Sequence, residues 1–202
     1  MIFAVCSMMG LRAQSITYSN LSYKYIYKIT VVKDSAEDDF NKKVKLKLCV
    51  FKRDGKLLQK IAVDAGSLFG DDDDFKSSKT SRSYITSKGR NAAVEDYDFG
   101  DLVIADLNFD GKEDIAVKSG SSADSGPEYT FYMQGNDGRF YIDNYLTTDV
   151  MSFPKYINAK AKTITTRTHA NVSQEDKLTF KYNVSTKKWH FVKGVRIDDE
   201  AY

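Results

Sequence analysis

"KVKLKLCVFKRDGKLLQKIAV", residues 43–63, alternates apolar and polar side chains on both sides of Asp54-Gly55. A period of two marks a strand with one buried and one wet face, because successive side chains of an extended chain point to opposite sides. Asp-Gly between two such runs is a two-residue hairpin signal, since that turn needs residues that tolerate positive φ. The stretch predicts an antiparallel hairpin.

The same period recurs outward in both directions. "SYKYIYKITVV" (22–32) alternates, "YTFYMQGNDGRFYIDNYL" (129–146) breaks at Asn136-Asp137-Gly138, and "LTFKYNVSTKKWHFVKGVRI" (178–197) breaks near Ser185. No segment carries the 3.6-residue spacing and caps of a long amphipathic helix. The fold class expected is all-β, with antiparallel hairpins forming a propeller-like or sandwich-like domain. No fixed-period repeat supports a multi-blade propeller.

At 202 residues the chain suits one domain or two small ones, and it can bury a core without disulfides. Its 30 basic and 28 acidic side chains leave a net charge of +2, which gives no bulk electrostatic case for nucleic acid or a membrane surface and leaves local patches open.

The opening residues "MIFAVCSMMGLRAQS" form a short apolar segment ending in Leu11-Arg12-Ala13 before Gln14. An apolar core of about ten residues is too short to span a bilayer and suits a signal peptide. Residues 1–13 are therefore expected to be a signal peptide, read as truncated at its start because no basic residues precede the apolar run. The protein is then secreted or periplasmic, with no transmembrane segment after cleavage. An ordinary N-terminal strand is the alternative, and Cys6 in "FAVC" is a poor lipoprotein site because Val5 stands where a small residue is wanted. Cleavage leaves one cysteine, Cys49, read as an inward-facing small hydrophobe. With no disulfide available, a bound ion becomes a source of stability.

Two stretches read as breaks: "GSLFGDDDDFKSSKTSRS" (66–83) and "SGSSADSGPE" (119–128). They divide the chain into an N-terminal β-hairpin module (14–65), a loop region (66–91) and a second β domain (92–202). The run Asp71 to Asp74 reads as a solvated loop, since four adjacent carboxylates without a glycine turn lack the geometry of a cage.

"DLNFDGKEDIAV", residues 106–117, carries the chemistry. A hard cation such as calcium takes six to eight oxygen ligands, and a tight loop offers alternate side chains plus a carbonyl. Asp106, Asn108 and Asp110 occupy alternate positions and Gly111 allows the sharp turn. The Lys112 carbonyl supplies a further oxygen, and Asp114 stands where a direct or water-mediated ligand belongs. An EF-hand would need glutamate at the twelfth position, where Val117 stands, and the flanks read as strands rather than helices. Magnesium seldom uses an all-protein cage. The other reading of these residues is an Asx-rich turn without metal.

"VIADLNFDGKEDIAV" resembles the calcium loop of FG-GAP/VCBS-type β repeats. The order that follows it, "YTFYM", "GNDGRF" and "FPKY", is similar to a family of small exported bacterial proteins related to periplasmic inhibitors of lysozyme-like enzymes. The resemblance covers roughly residues 92–197. It implies calcium at Asp106, Asn108, Asp110, Lys112 and Asp114, and a lysozyme-like enzyme as partner. The polar loop 119–129 would present Asp124 or Glu128 to a basic enzyme surface. The chain departs from the FG-GAP pattern in showing one such loop and no further Gly-Ala-Pro turns.

Other chemistry finds less support. His169 and His190 have no spaced partner for zinc, and no nucleophile elbow is present. Tyr23, Tyr25 and Tyr27 at strand spacing could make a sugar-stacking face, although sheet packing is the commoner use of such rings. The leading expectation is a non-enzymatic, exported protein-binding module with a structural calcium ion. The alternative is a cell-surface adhesive or glycan-binding module.

Overall fold

The computed structural model describes residues 14–33, 44–65, 84–86, 89–91, 99–122 and 126–198. The expected signal peptide (1–13), the run Asp71 to Asp74 and Asp124 lie outside the described residues. Strands β1 (Gln14–Tyr18), β2 (Tyr25–Lys33), β3 (Val44–Lys52) and β4 (Leu57–Ala65) form one antiparallel sheet in chain order. The alternation of the opening stretch sorts its side chains as expected. Leu46, Leu48, Val50, Ile61 and Val63 are buried, while Lys45, Lys47 and Lys60 are exposed. Truncating a side chain as buried as Leu48 to alanine costs about 2–5 kcal/mol.

Two details of this sheet differ from expectation. The connection is not a two-residue turn: Lys52 N–H donates to Lys56 O (2.9 Å), Gly55 N–H donates to Lys52 O (3.0 Å), and the ladder shifts between Val50 and Phe51. Asp54 stays at negative φ and only Gly55 (φ +83°) crosses over, giving a type I turn with a glycine bulge. The Asp54 carboxylate holds this form by accepting the Lys56 N–H (2.9 Å). Cys49 also departs from its inward assignment. With Leu48 and Val50 facing the core, strand alternation puts it half-buried on the outer face, between Lys28 and Lys60.

A short pair, β5 (Tyr84–Thr86) and β6 (Gly89–Asn91), precedes the middle sheet. The middle sheet comprises β7 (Leu102–Ala105), β8 (Asp114–Ser122), β9 (Gly126–Gln134) and β10 (Phe140–Ile142), antiparallel in spatial order β10-β9-β8-β7. The turn 135–139 repeats the first: Gly138 (φ +79°) closes it and Asp137 accepts the Arg139 N–H (3.0 Å). A single π-helical turn (Leu146–Val150) leads to the third sheet, β11 (Tyr156–Asn158), β12 (Thr163–Asn171), β13 (Gln174–Asn183) and β14 (Lys188–Asp198).

The middle sheet is apolar on both faces. Leu102, Ile104, Ile115, Val117, Tyr132 and Phe140 join the core of the N-terminal sheet. Val103, Ala105, Ala116, Tyr129 and Phe131 join a second core with Phe153, Ile164, Phe180 and Trp189. Burial on both sides is why "LVIA" and "IAV" are continuous apolar runs rather than alternating ones. The result is sandwich-like, with three four-stranded sheets sharing the middle layer. Tyr25 and Tyr27 belong to this packing, since Tyr27 is fully buried and the half-buried Tyr25 ring lies edge-on to Phe140 at 5.7 Å. Of the three tyrosines only Tyr23 stands exposed, so they form no common stacking face.

Candidate metal centre and the groove beside it

Ala105 at the end of β7 and Asp114 at the start of β8 are ladder partners, so residues 106–113 form a loop closed by the sheet. Side chains of its first half fold back over its own turn. Asp106 accepts the N–H groups of Asp110 and Gly111 on its two oxygens (both 3.0 Å). Asn108 Oδ1 accepts the Asp110 N–H (3.0 Å), and Asp110 Oδ1 accepts the Lys112 N–H (2.9 Å). Gly111 takes φ +81° with open space where a Cβ would stand, so its requirement is conformational rather than steric.

Phe109 takes φ +62°, rare for a bulky residue, and is held there by burial. Its ring lies 6.3 Å from Trp189, the Lys162 ammonium sits 5.2 Å above it, and Lys162 Nζ donates to the Phe109 carbonyl (3.4 Å).

Asp114 behaves differently from the other predicted ligands. It has no solvent exposure; Oδ2 accepts the N–H groups of Leu107 (2.9 Å) and Asn108 (3.3 Å), and Oδ1 accepts that of Gln134 (2.8 Å). This carboxylate clasps the start of the loop to the end of β9. Burial pushes it up to about 7, outweighing the three N–H bonds, with a further contribution from the Asp110 charge. Asp106 is also raised, chiefly by burial and then by Asp110, against the bonds it accepts. Lys112 supplies a local counter-charge: its ammonium donates to Asp110 Oδ2 (3.0 Å) and to Asn136 Oδ1 (2.9 Å), tying the loop to the 135–139 turn.

The donor chemistry fits a hard cation. Asp106, Asn108 and Asp110 all turn toward one backbone segment, and each oxygen that accepts one N–H keeps a second lone pair. Among the described residues no three His, Cys, Asp or Glu side chains gather to hold a metal by themselves. The loop's set is instead mixed: the carboxylates of Asp106 and Asp110, the Asn108 amide and the Lys112 carbonyl. Asp114 Oδ1 accepts only the Gln134 N–H.

A groove of about 620 Å³ runs beside the loop, lined by Tyr23, Lys24, Asp106, Phe109, Glu113 and Ile157 among others. Ser22 Oγ donates to Glu113 Oε2 and accepts the N–H groups of Lys24 (2.9 Å) and Tyr25 (3.1 Å), so the β1–β2 turn is fastened to the loop. The sequence signalled the loop, and Tyr23 only as part of a candidate tyrosine face, but not Lys24 or Ile157, which lie far away in the chain. Phe109, a bulky apolar residue in an otherwise polar loop, was the one available hint.

The structure separates Glu128 from this region. It pairs with Gly120, six residues along β8 from Asp114, roughly 20 Å at strand rise. The Ser122–Gly126 end of the β8–β9 pair is thus at the opposite end of the sheet from the loop, because β8 runs the sheet's full length between them. Glu128 is half-buried, its side chain lying over Gly120, where an added Cβ would stand 3.1 Å from Oε2. His190 points outward beside the buried Trp189.

No family model and no curated protein matches the chain. A solved structure described as that of a Xanthomonas type IV secretion system related protein is similar in fold: the TM-score is 0.55 at 14% identity, over 91% of this chain and 82% of that one.

Proposed function

We propose that the protein is an exported, non-enzymatic binding module for another protein, stabilised by one calcium ion at the 106–114 loop. The observation that carries this reading is the convergence of the Asp106, Asn108 and Asp110 oxygens on one glycine-closed turn between two strands. When bound, calcium would supply positive charge beside the Asp106 and Asp110 carboxylates, two like charges on one turn. The chain's own residues do the rest: Asp114 anchors the loop to β9, Phe109 pins it to the third sheet, and Glu113 with Ser22 joins it to the first. Fixing this loop fixes the wall of the adjoining groove. The fold shared with a secretion-system related protein supports an interaction role outside the cytoplasm.

The narrower reading, from the loop and the aromatic order after it, is inhibition of a lysozyme-like enzyme, with the groove or the Glu128 tip as contact surface. The exposed Tyr23 ring on the groove favours a second reading, a glycan site. Thermal unfolding of residues 14–202 in EDTA, calcium and magnesium, beside Asp110→Asn, tests the ion. A rise specific to calcium and absent from the variant is expected, and no shift would remove the loop's role. Inhibition of a muramidase panel against retention on a glycan array then separates the two partners.

A further inference from the structure

Lys28, Lys45, Lys47 and Lys60 stand on the outer face of the N-terminal sheet, the face turned away from the middle layer. Lys28, Cys49 and Lys60 line up across β2, β3 and β4; Lys47 lies between Thr30 and Ala62, and Lys45 between Val32 and Asp64. Lys45, Lys47 and Lys60 are exposed and Lys28 is half-buried. Among the described residues, none of these four ammonium groups lies within 4.0 Å of a carboxylate, not even Lys45 opposite Asp64. Residues 14–33 and 44–65 carry nine Lys and Arg against two acidic side chains, Asp54 and Asp64, in a chain whose net charge is only +2. The connecting residues 34–43 add two lysines and four acidic side chains, and residues 156–198 of the third sheet are comparably basic, with nine Lys and Arg against three acidic side chains; what sets this layer apart is the placement of four lysines on one face.

Neighbouring strands stand about 4.8 Å apart, so the four lysines share one side of three adjacent strands. Like charges so placed repel one another, and an anionic partner relieves all of them together. We infer that this sheet face docks on an anionic lipid bilayer surface. A sheet face meets a plane with all four groups at once. Lysine is a point charge on a flexible stem, suited to scattered headgroup phosphates rather than to forked recognition. The side chains between the lysines, Thr30, Cys49 and Ala62, offer no ring on which a base could stack and no fork for a base edge, which disfavours nucleic acid. The exposed Val32 adds an apolar contact beside Lys45. The surface is independent of the calcium loop, so loss of one reading leaves the other standing.

The test is co-sedimentation of residues 14–202 with phosphatidylcholine vesicles, with and without phosphatidylglycerol, at low and high salt. Binding only to the anionic vesicles, weakened by salt, is expected. Each Lys→Gln change should lower partition about five-fold. The quadruple variant Lys28→Gln, Lys45→Gln, Lys47→Gln, Lys60→Gln should lose binding with its melting curve intact, and the matching quadruple Lys→Arg variant should retain it. Equal binding to neutral vesicles, or anionic binding unchanged in the glutamine variant, would overturn the proposal. So would absence from all vesicles with retention on nucleic acid or an acidic protein.

Discussion

The Gln134 N–H donates to Asp114 Oδ1 at 2.8 Å, and the same carboxylate holds Leu107 and Asn108 through its other oxygen. Three backbone donors from two separate elements thus depend on one buried side chain. Asp114→Asn keeps one acceptor oxygen and places an amide donor against backbone donors. A buried donor left unsatisfied costs about 1–3 kcal/mol, so the variant should lose roughly 2–4 kcal/mol in chemical denaturation. A loss below half a kcal/mol would show that the clasp carries no stability.

Trp189 is the chain's one tryptophan, and its ring lies 6.3 Å from Phe109 within the loop and 5.0 Å from Tyr182. Its emission should therefore report the loop. Adding calcium to chelated protein should give a saturable change in intensity or wavelength, and Phe109→Ala should reduce it. Emission indifferent to calcium while the melting temperature rises would place the ion elsewhere.

Asp143 joins the middle and third sheets, accepting the Leu146 N–H (2.9 Å) and the Trp189 indole N–H (3.2 Å). Burial raises its carboxyl above the ordinary range, and these bonds only partly offset the shift. The folded state therefore holds this proton more tightly than the unfolded state does. The stabilisation is complete below the unfolded pKa and is lost as pH climbs through the folded one. Asp143→Asn should flatten the fall in stability with rising pH, read as the difference between variant and parent curves. Parallel curves would exclude Asp143 as a source of the slope.

Glu175, with no solvent exposure, is paired with the Arg167 guanidinium across β12 and β13. Arg167→Met should cost about 3–5 kcal/mol, because it leaves a buried carboxylate without that counter-charge. The double change Arg167→Met, Glu175→Leu should cost clearly less than the single one. A double variant as unstable as the single would mean that packing, not charge, is at stake.

The outer layers were legible because each has one wet face: Lys45, Leu46, Lys47 and Leu48 announce their sides by alternation. "LVIA" in the middle layer announces only a strand, since with both faces buried no polar residue tells one side from the other. The Asp54 turn was misjudged by one residue because the Asp-Gly pair serves both turn forms, and only the φ of Asp54 decides between them. The loop 106–114 was legible as a local pattern, whereas the contact of Ser22 with Glu113 joins residues 91 apart and leaves no local trace. Asp114 was recognised as a carboxylate in register but not as an anchor, because its partners Leu107 and Gln134 contribute backbone groups that any residue carries.

Over β7 and the apolar runs of β8 and β9 the middle sheet has no side of its own to show to water, and these three strands lean on both neighbours. Neither outer layer can come away without stripping a flank of that sheet and exposing aromatic and aliphatic surface. Loosening at Leu48 in the first layer should therefore be felt as faster amide exchange at Phe180 in the third. The basic face and the third sheet are in this sense thermodynamic dependants of the same slab.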